Sequence, residues 1–145
     1  MGAAGARVSG TRTSATVLRA VDGDTVEVLL GDGRADVVRL LGVDAPETHH
    51  PARPVECYGP EAAAYLQARL AGRAVQLEGD RELRDRYGRR LAHVILDGRR
   101  VNDELLRLGY ARLLVIPPNR AHGRALLEAE LAARRDRAGL WGRAE

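Results

Sequence analysis

Residues 38–48 read VRLLGVDAPET, a stretch in which an apolar strand gives way to a loop with two carboxylates. Side chains alternate between the two faces of a strand, so Arg39 lies opposite its immediate apolar neighbours. The proline that follows favours an extended backbone before it and ends the strand. Asp44 is therefore left at the strand end and Glu47 in the loop. The pattern predicts that one arginine and two acids converge.

The same stretch also has a plainer interpretation. Strand arginines often extend their guanidinium into solvent at a sheet edge, and loop acids are usually solvated. Taken alone, this stretch supports a functional site and a solvated surface equally.

The composition indicates one globular domain with an aliphatic core. The chain has 145 residues, of which 45% are hydrophobic, but it contains no Phe and only 3% aromatic residues. That length is sufficient for one packed core. All 23 basic residues are arginines, against 20 acids, for a net charge of +3. This balance excludes a protein that coats nucleic acid along its whole surface, so any basic footprint must be local.

The N-terminal residues and the single cysteine give little information about function. Residues 1–13 are small, polar and basic, which predicts a disordered lead-in rather than a signal peptide, with one domain over 14–142. No apolar run reaches the roughly 18 residues of a membrane span, so no membrane partner is expected. Cys57 cannot form an intrachain disulfide, and with His49 and His50 it lacks the spacing of a structural zinc site.

Three β-rich runs open the predicted domain, at 15–21, 25–30 and 35–43. Glycine-containing turns separate them, which predicts an antiparallel three-strand meander. Asp24 falls where the second strand begins, so its carboxylate would lie at the rim of the sheet. A turn acid without further function is the competing interpretation, and it is stronger for Asp22, which stands directly before Gly.

A helix and two further strands follow. The sequence GPE at 59–61 opens the helix with Pro in its first turn, and Gly72 ends it. The next strands are predicted at 75–77 and 91–96. Five strands with a helix after the third are typical of a small barrel of the OB type.

The C-terminal third is predicted to be mainly helical. Asn102 is expected to cap a short helix that ends at Gly109, and the apolar run 112–116 stops at a double proline. A last helix is predicted over 120–138. Its buried stripe is predicted to contain Leu127, Leu131 and Ala138. The side chain of Trp141 is predicted to dock behind this helix. The whole pattern predicts an α+β fold, a five-stranded OB-fold barrel with three α-helices.

The charged segment 80–90, DRELRDRYGRR, connects the last two predicted strands. A solvated hairpin loop is one interpretation. A loop that grips phosphate is the other, because guanidinium groups match phosphate oxygens bidentately and a phenol adds a donor. The sequence supports the two interpretations equally.

Five separated motifs occur in order along the chain. They are AVDGDT at 20–25, RLLGVDAPET at 39–48, YGPEA at 58–62, DRYGR at 85–89 and PPN at 117–119. Together they resemble the staphylococcal nuclease, or thermonuclease, family over nearly the whole chain. The resemblance implies a calcium-dependent phosphodiesterase that cleaves DNA and RNA and leaves 3′-phosphate ends.

The resemblance also implies a metal site and a general base. Asp24 and Asp44 match the calcium-binding carboxylates, and Ala45 matches the residue that offers its backbone carbonyl. Glu47 matches the residue assigned as general base for the attacking water. These roles suit the residue types, because calcium prefers oxygen ligands and a free carboxylate can accept a proton.

The resemblance also implies, position by position, which residues contact phosphate. Arg39 and Arg89 match the arginines that contact the scissile phosphate, and Arg86 and Tyr87 match residues that hold its neighbour. Guanidinium groups there would neutralise the charge that grows on the phosphate.

One departure concerns the residues before the double proline. Members of the family commonly carry two alternating tyrosines there, which stack on the base and contact phosphate, whereas this chain has Leu114 and Ile116. Base stacking is worth roughly 1–3 kcal/mol per base. The substitution predicts lower substrate affinity or an altered base preference, with the chemistry retained.

The rival interpretation is a non-catalytic OB module that binds nucleic acid or a protein. Such domains typically lose catalytic residues, whereas this chain retains the acids and arginines named above. The expected partners are therefore DNA and RNA substrates, and the expected state is a monomer. Calcium is scarce in the cytosol, so a weak calcium site suits secretion or the periplasm, provided that a signal peptide has been removed.

Overall fold

The computed structural model describes residues 11–46 and 59–142, which contain eight strands and three α-helices. The strands are β1 Arg12–Asp22, β2 Thr25–Leu30, β3 Ala35–Leu40, β4 Gly42–Asp44, β5 Ala74–Glu78, β6 Arg90–Leu96, β7 Arg99–Arg100 and β8 Arg112–Leu114. The helices are α1 Gly59–Leu70, α2 Val101–Arg107 and α3 Gly123–Asp136, and a 3-10 turn, Gly139–Gly142, follows α3.

Five of the strands form a closed barrel. β1, β2 and β3 are the predicted antiparallel meander, and β1 also pairs with β5, which pairs with β6. A parallel pairing of β3 with β6, in which Val38 lies opposite Arg90 and Leu40 opposite Ala92, closes the sheet on itself. This mixed barrel with three helices confirms the predicted α+β OB fold.

Aliphatic side chains fill the barrel. In β2, Val26 and Val28 are completely buried, whereas Leu29 points outward and is 40% exposed. Helix α1 has the predicted position and contributes Leu66 and Leu70 to the core. The alternation of apolar residues thus follows the period of two expected for strands with one buried face.

The predicted strand 35–43 is divided in two, which corrects its boundary. β3 ends at Leu40, and Gly42 takes a positive φ of 79°, a conformation that residues with a Cβ rarely adopt. A Cβ at this position would lie 2.6 Å from a methyl carbon of Leu126. β4 therefore leaves the barrel and pairs antiparallel with β8.

The predicted core stripe of the last helix is wrong. Leu127 and Leu131 are 42% and 51% exposed, and Ala138 lies beyond the helix end at Asp136. The buried face consists of Leu126, Glu130 and Ala133. Both rows have helical spacing, and packing against α2 and β8 determines which one is buried. Trp141 docks on the helix as expected, with the guanidinium of Arg134 4.4 Å from its ring centroid.

The capping role predicted for Asn102 is also wrong. Arg100 occupies the N-cap position of α2, and Asn102 is completely buried in the first turn. Its Oδ1 accepts a hydrogen bond from the Val94 N–H at 2.9 Å, and its Nδ2 donates to the Leu41 carbonyl at 2.7 Å. The side chain joins the end of β3 to β6, which is a tertiary contact that no local capping pattern contains.

Strand β1 begins before residue 14, the predicted start of the domain. Strand β1 starts at Arg12, and Thr13 pairs with Leu77 of β5, so both residues precede the predicted boundary at 14. Residues 1–10 of the predicted lead-in lie outside the described residues. Among the described helices, none is both long and apolar enough to cross a membrane.

Candidate active site

The break between β3 and β4 holds the guanidinium of Arg39. Its Nη1 donates to the carbonyls of Leu40 and Val43, at 2.7 and 2.8 Å, one on each side of the break. The side chain is only 16% exposed. Because the guanidinium is planar, fixing one terminal nitrogen sets the direction of the whole group.

Two carboxylates flank the other terminal nitrogen of Arg39. Nη2 lies 3.4 Å from Oδ2 of Asp24 and 3.5 Å from Oδ1 of Asp44. Asp24 is itself fixed, because its Oδ1 accepts from the Thr25 hydroxyl and its Oδ2 accepts from the Ala45 N–H, both at 2.9 Å. The fold thus brings together the arginine, both acids and the loop residue that follows them.

Gly23 permits this close packing. A Cβ at this position would lie 2.6 Å from the Cβ of Ala62 in α1 and 2.7 Å from the Cβ of Ala45. Real Cβ atoms do not approach so closely. The turn that carries Asp24 can therefore lie against the helix only when its central residue is glycine.

The donor set around Arg39 fits a hard divalent cation. Asp24 and Asp44 offer carboxylate oxygens and Ala45 a backbone carbonyl, which are the ligands that calcium prefers. The Asp24 side chain is 13% exposed and that of Asp44 is 57% exposed. The site is therefore anchored on one side and open to solvent, and to a phosphate oxygen, on the other.

Some predicted site positions lie outside the described residues. One is the predicted general base, Glu47. The others are the three residues considered for zinc, which are His49, His50 and Cys57. In the part of the chain that the structure describes, no group of three or more His, Cys, Asp or Glu side chains is arranged to hold a metal. Among the described residues, the predicted cation ligands are therefore the carboxylates of Asp24 and Asp44 and the Ala45 carbonyl.

The arginine loop, defined as residues 80–90, is folded around the carboxylate of Asp85. Its Oδ1 accepts from the backbone N–H of Tyr87 at 3.0 Å and of Arg89 at 2.9 Å, and its Oδ2 accepts from Arg89 Nε at 2.7 Å. Burial opposes the charged form, but the hydrogen bonds from Arg89 hold the pKa of Asp85 below its ordinary value. Asp85 stays ionised and fixes the direction of the Arg89 guanidinium.

Tyr87 projects from the arginine loop with 70% of its surface exposed. Arg86 Nη2 donates to its hydroxyl at 2.9 Å, and the guanidinium carbons of Arg86 and Arg89 lie 5.0 and 5.5 Å from its ring centroid. At these distances cation–π attraction contributes. Three of the four residues predicted to contact phosphate, Arg86, Tyr87 and Arg89, therefore form one cluster.

Arg84 and Arg90 anchor the arginine loop to β3 through Asp36. Arg84 donates from both terminal nitrogens, at 3.1 and 2.9 Å, and Arg90 donates from Nε at 3.1 Å. Hydrogen bonds from Arg84 lower the pKa of Asp36 to about 2. Burial opposes this shift, and the hydrogen bond from Arg90 adds to it. Asp36 was not among the predicted site residues, although an acid inside an apolar strand indicates such a partner.

A groove of about 540 Å³ extends from the arginine loop to the end of β3. The predicted site residues in its lining are Arg39, Arg86, Tyr87, Arg89, Leu114 and Ile116. Leu114 and Ile116 are 39% and 61% exposed, so they belong to this surface and not to the core. Two residues that the sequence analysis did not select, Glu82 and Asn119, also line it.

Most of the chain matches one protein family. Residues 37–143, well over half of the chain, match the family described as staphylococcal nuclease homologue. The chain is 39% identical to a thermonuclease of Staphylococcus intermedius over 127 residues, which cover 88% of this chain and 75% of that protein. With a thermonuclease of Staphylococcus hyicus the identity is 37%, covering 86% and 73%. With endonuclease YncB of Bacillus subtilis it is 38%, covering 88% and 61%.

Proposed function

Because the chain belongs to the staphylococcal nuclease homologue family, we propose that it is a nuclease that hydrolyses DNA and RNA and leaves 3′-phosphate ends. The names of its relatives, thermonuclease and endonuclease, support nuclease activity. The observation that carries the proposal is the fixed guanidinium of Arg39, which lies beside two carboxylates and shares a groove with Arg89.

In this proposal the arginines act on the scissile phosphate. Arg39 and Arg89 donate hydrogen bonds to its oxygens, where negative charge grows as water attacks. Donors that are already oriented stabilise such charge without reorganising. Backbone carbonyls orient Arg39, and Asp85 orients Arg89. Arg86 and Tyr87 bind the neighbouring phosphate, since a guanidinium and a phenol both donate to phosphate oxygens.

Calcium is the cofactor that we propose, with Asp24, Asp44 and the Ala45 carbonyl as its protein ligands. When bound, the ion would polarise the phosphate and help to position water. The role proposed for Glu47 is to accept the proton of that water. The oxygen-only donor set supports calcium in preference to softer metals.

A cleavage assay with a series of metals tests the proposal. Supercoiled plasmid and single-stranded RNA are each incubated with the protein in calcium, magnesium or excess chelator. We expect cleavage in calcium, little in magnesium and none in chelator, because few loop carboxylates do not enforce the octahedral geometry that magnesium requires. Mass spectrometry of a cleaved oligonucleotide shows which end carries the phosphate. Full activity in chelator would contradict the calcium requirement.

Variants then assign the roles. Arg89→Ala and Glu47→Gln should each lower turnover by a factor on the order of 10²–10³, as for the loss of one preorganised group. Arg73→Ala is the matched control, since Arg73 pairs with Asp97 at 3.1 Å and lies outside the groove lining. Binding of DNA by the parent without cleavage in any metal would instead support the non-catalytic OB module.

A further inference from the structure

Two segments meet beside the groove and are joined by three contacts. One segment, residues 115–122, follows β8, and the other, residues 78–82, runs from the end of β5 into the start of the arginine loop. The pairs in contact are Asn119 with Glu82, Ala121 with Asp80, and His122 with Glu78. Of these three pairs only the first lines the groove. The other two hold the same segments together farther from the substrate surface.

Asn119 makes the contact at the groove with both ends of its amide. Its Oδ1 accepts from the Glu82 N–H at 2.7 Å, and its Nδ2 donates to the Glu82 carbonyl at 2.9 Å. Its own N–H donates to the Ile116 carbonyl at 3.0 Å. The Asn119 residue is only 9% exposed, and its two side-chain bonds to Glu82 are partly buried. One side chain thus connects the backbone of the two segments that form the groove walls.

We propose that Asn119 is a positioning residue that fixes the separation of the groove walls and thereby the affinity for nucleic acid. One wall carries Leu114 and Ile116, and the other carries the cluster of Arg86 and Tyr87. This inference rests on the proposed function, because it assigns the groove to a nucleic-acid strand. A pair of hydrogen bonds to the N–H and the carbonyl of one residue restrains both distance and orientation, which a single bond does not.

The proposed role separates binding from chemistry. Arg39 is oriented by its own turn, and Arg89 by Asp85, so neither depends on Asn119. Loss of Asn119 should therefore raise KM and leave kcat nearly unchanged, which is the result expected when an interaction serves the ground state and the transition state equally.

The test compares Asn119→Ala with Asp80→Ala. The first variant removes the contact at the groove, and water can reach the Glu82 backbone because Glu82 is an exposed residue. The second removes the bond of 2.9 Å that Asp80 accepts from the Ala121 N–H, within the same pair of segments but outside the groove. Two measurements are made on each: KM and kcat for single-stranded DNA in calcium, and Kd for a fluorescein-labelled oligonucleotide in chelator.

We expect Asn119→Ala to raise KM and Kd about tenfold, as for the loss of two ordinary hydrogen bonds, and Asp80→Ala to change neither. Equal changes in both variants, or a loss of kcat with constant KM, would overturn the positioning role. A parent that binds the oligonucleotide but cleaves nothing overturns the nuclease proposal, while Kd still tests Asn119. A parent that neither binds nor cleaves overturns both.

Discussion

Arg39 and a cation would use the same two carboxylates. Nη2 of Arg39 lies within 3.5 Å of one oxygen each of Asp24 and Asp44, which are also the acids that fit calcium. Opposite charges this close attract strongly in a partly buried site. The arginine therefore offsets part of the negative charge of the two carboxylates when no cation is bound, and a cation must compete with it.

The consequence is a prediction for calcium binding without substrate. Arg39→Gln should bind calcium several-fold more tightly than the parent, because the competing charge is gone, while its turnover falls by a factor on the order of 10²–10³. Arg89→Gln is the control, since that guanidinium is held by Asp85 and should affect calcium much less. Isothermal titration calorimetry measures the affinities. Weaker calcium binding in Arg39→Gln would show that the arginine supports the site and does not compete for it.

At the level of elements, the end of β8 and the segment after it form the groove wall that we propose to contact bases. Leu114 and Ile116 are exposed there and offer no aromatic face. We predict that the double variant Leu114→Tyr with Ile116→Tyr lowers KM for single-stranded DNA, because rings stack on bases, with little change in turnover. Since both sites are exposed, the melting temperature should stay within a few degrees of the parent.

The control for this variant lies on α3. Leu127 and Leu131 are also exposed leucines, and they lie outside the groove lining. The double substitution of these two by Tyr adds the same rings elsewhere and should leave KM unchanged. If both double variants lower KM equally, the added rings bind DNA non-specifically and the segment after β8 is not a base-binding surface.

Sequence periodicity predicted correctly those elements that have a single apolar face, because the buried face is then the same whichever element packs on it. Strand β2 and helix α1 have one buried face each, and their apolar spacing reports it directly. Helix α3 has two rows of residues at helical spacing, and the buried row includes the charged Glu130. The choice between Leu126 and Leu127 therefore required knowledge of what packs on the helix. The break at Gly42 likewise depends on Leu126, a contact between residues far apart in sequence.

At the scale of the molecule, barrel closure assembles the site. Thr25 pairs with Arg39 across β2 and β3, which brings the neighbouring Asp24 to the arginine, and the parallel pairing of β3 with β6 brings the arginine loop alongside. The motifs identified the residue types in the sequence. Asp36 belongs to no motif, and the contact of Asn119 with Glu82 is not part of its motif, so both became visible only when distant segments were in contact.

The core contains the imidazole of His93, which resists protonation in the folded protein. His93 is 1% exposed, and its ring meets that of His122 edge-on with centroids 4.9 Å apart. Burial, and then the charges of His122 and Arg100, lower the pKa of His93 to about 3. The folded protein therefore keeps this imidazole neutral at pH values where the unfolded chain, with an ordinary pKa near 6.5, binds a proton.

This difference predicts that the parent loses stability as the pH falls from 7 to 5. Below about 6.5 the unfolded state binds one proton more than the folded state, so the free energy of unfolding should fall by about 2 kcal/mol over that interval. His93→Phe keeps a ring in the core and cannot titrate, so its stability should change less. Urea denaturation at several pH values measures both proteins, and most carboxylates stay ionised over this range. Identical pH dependence in the parent and the variant would mean that His93 already accepts a proton in the folded state, and that the acid sensitivity of the fold lies in other groups.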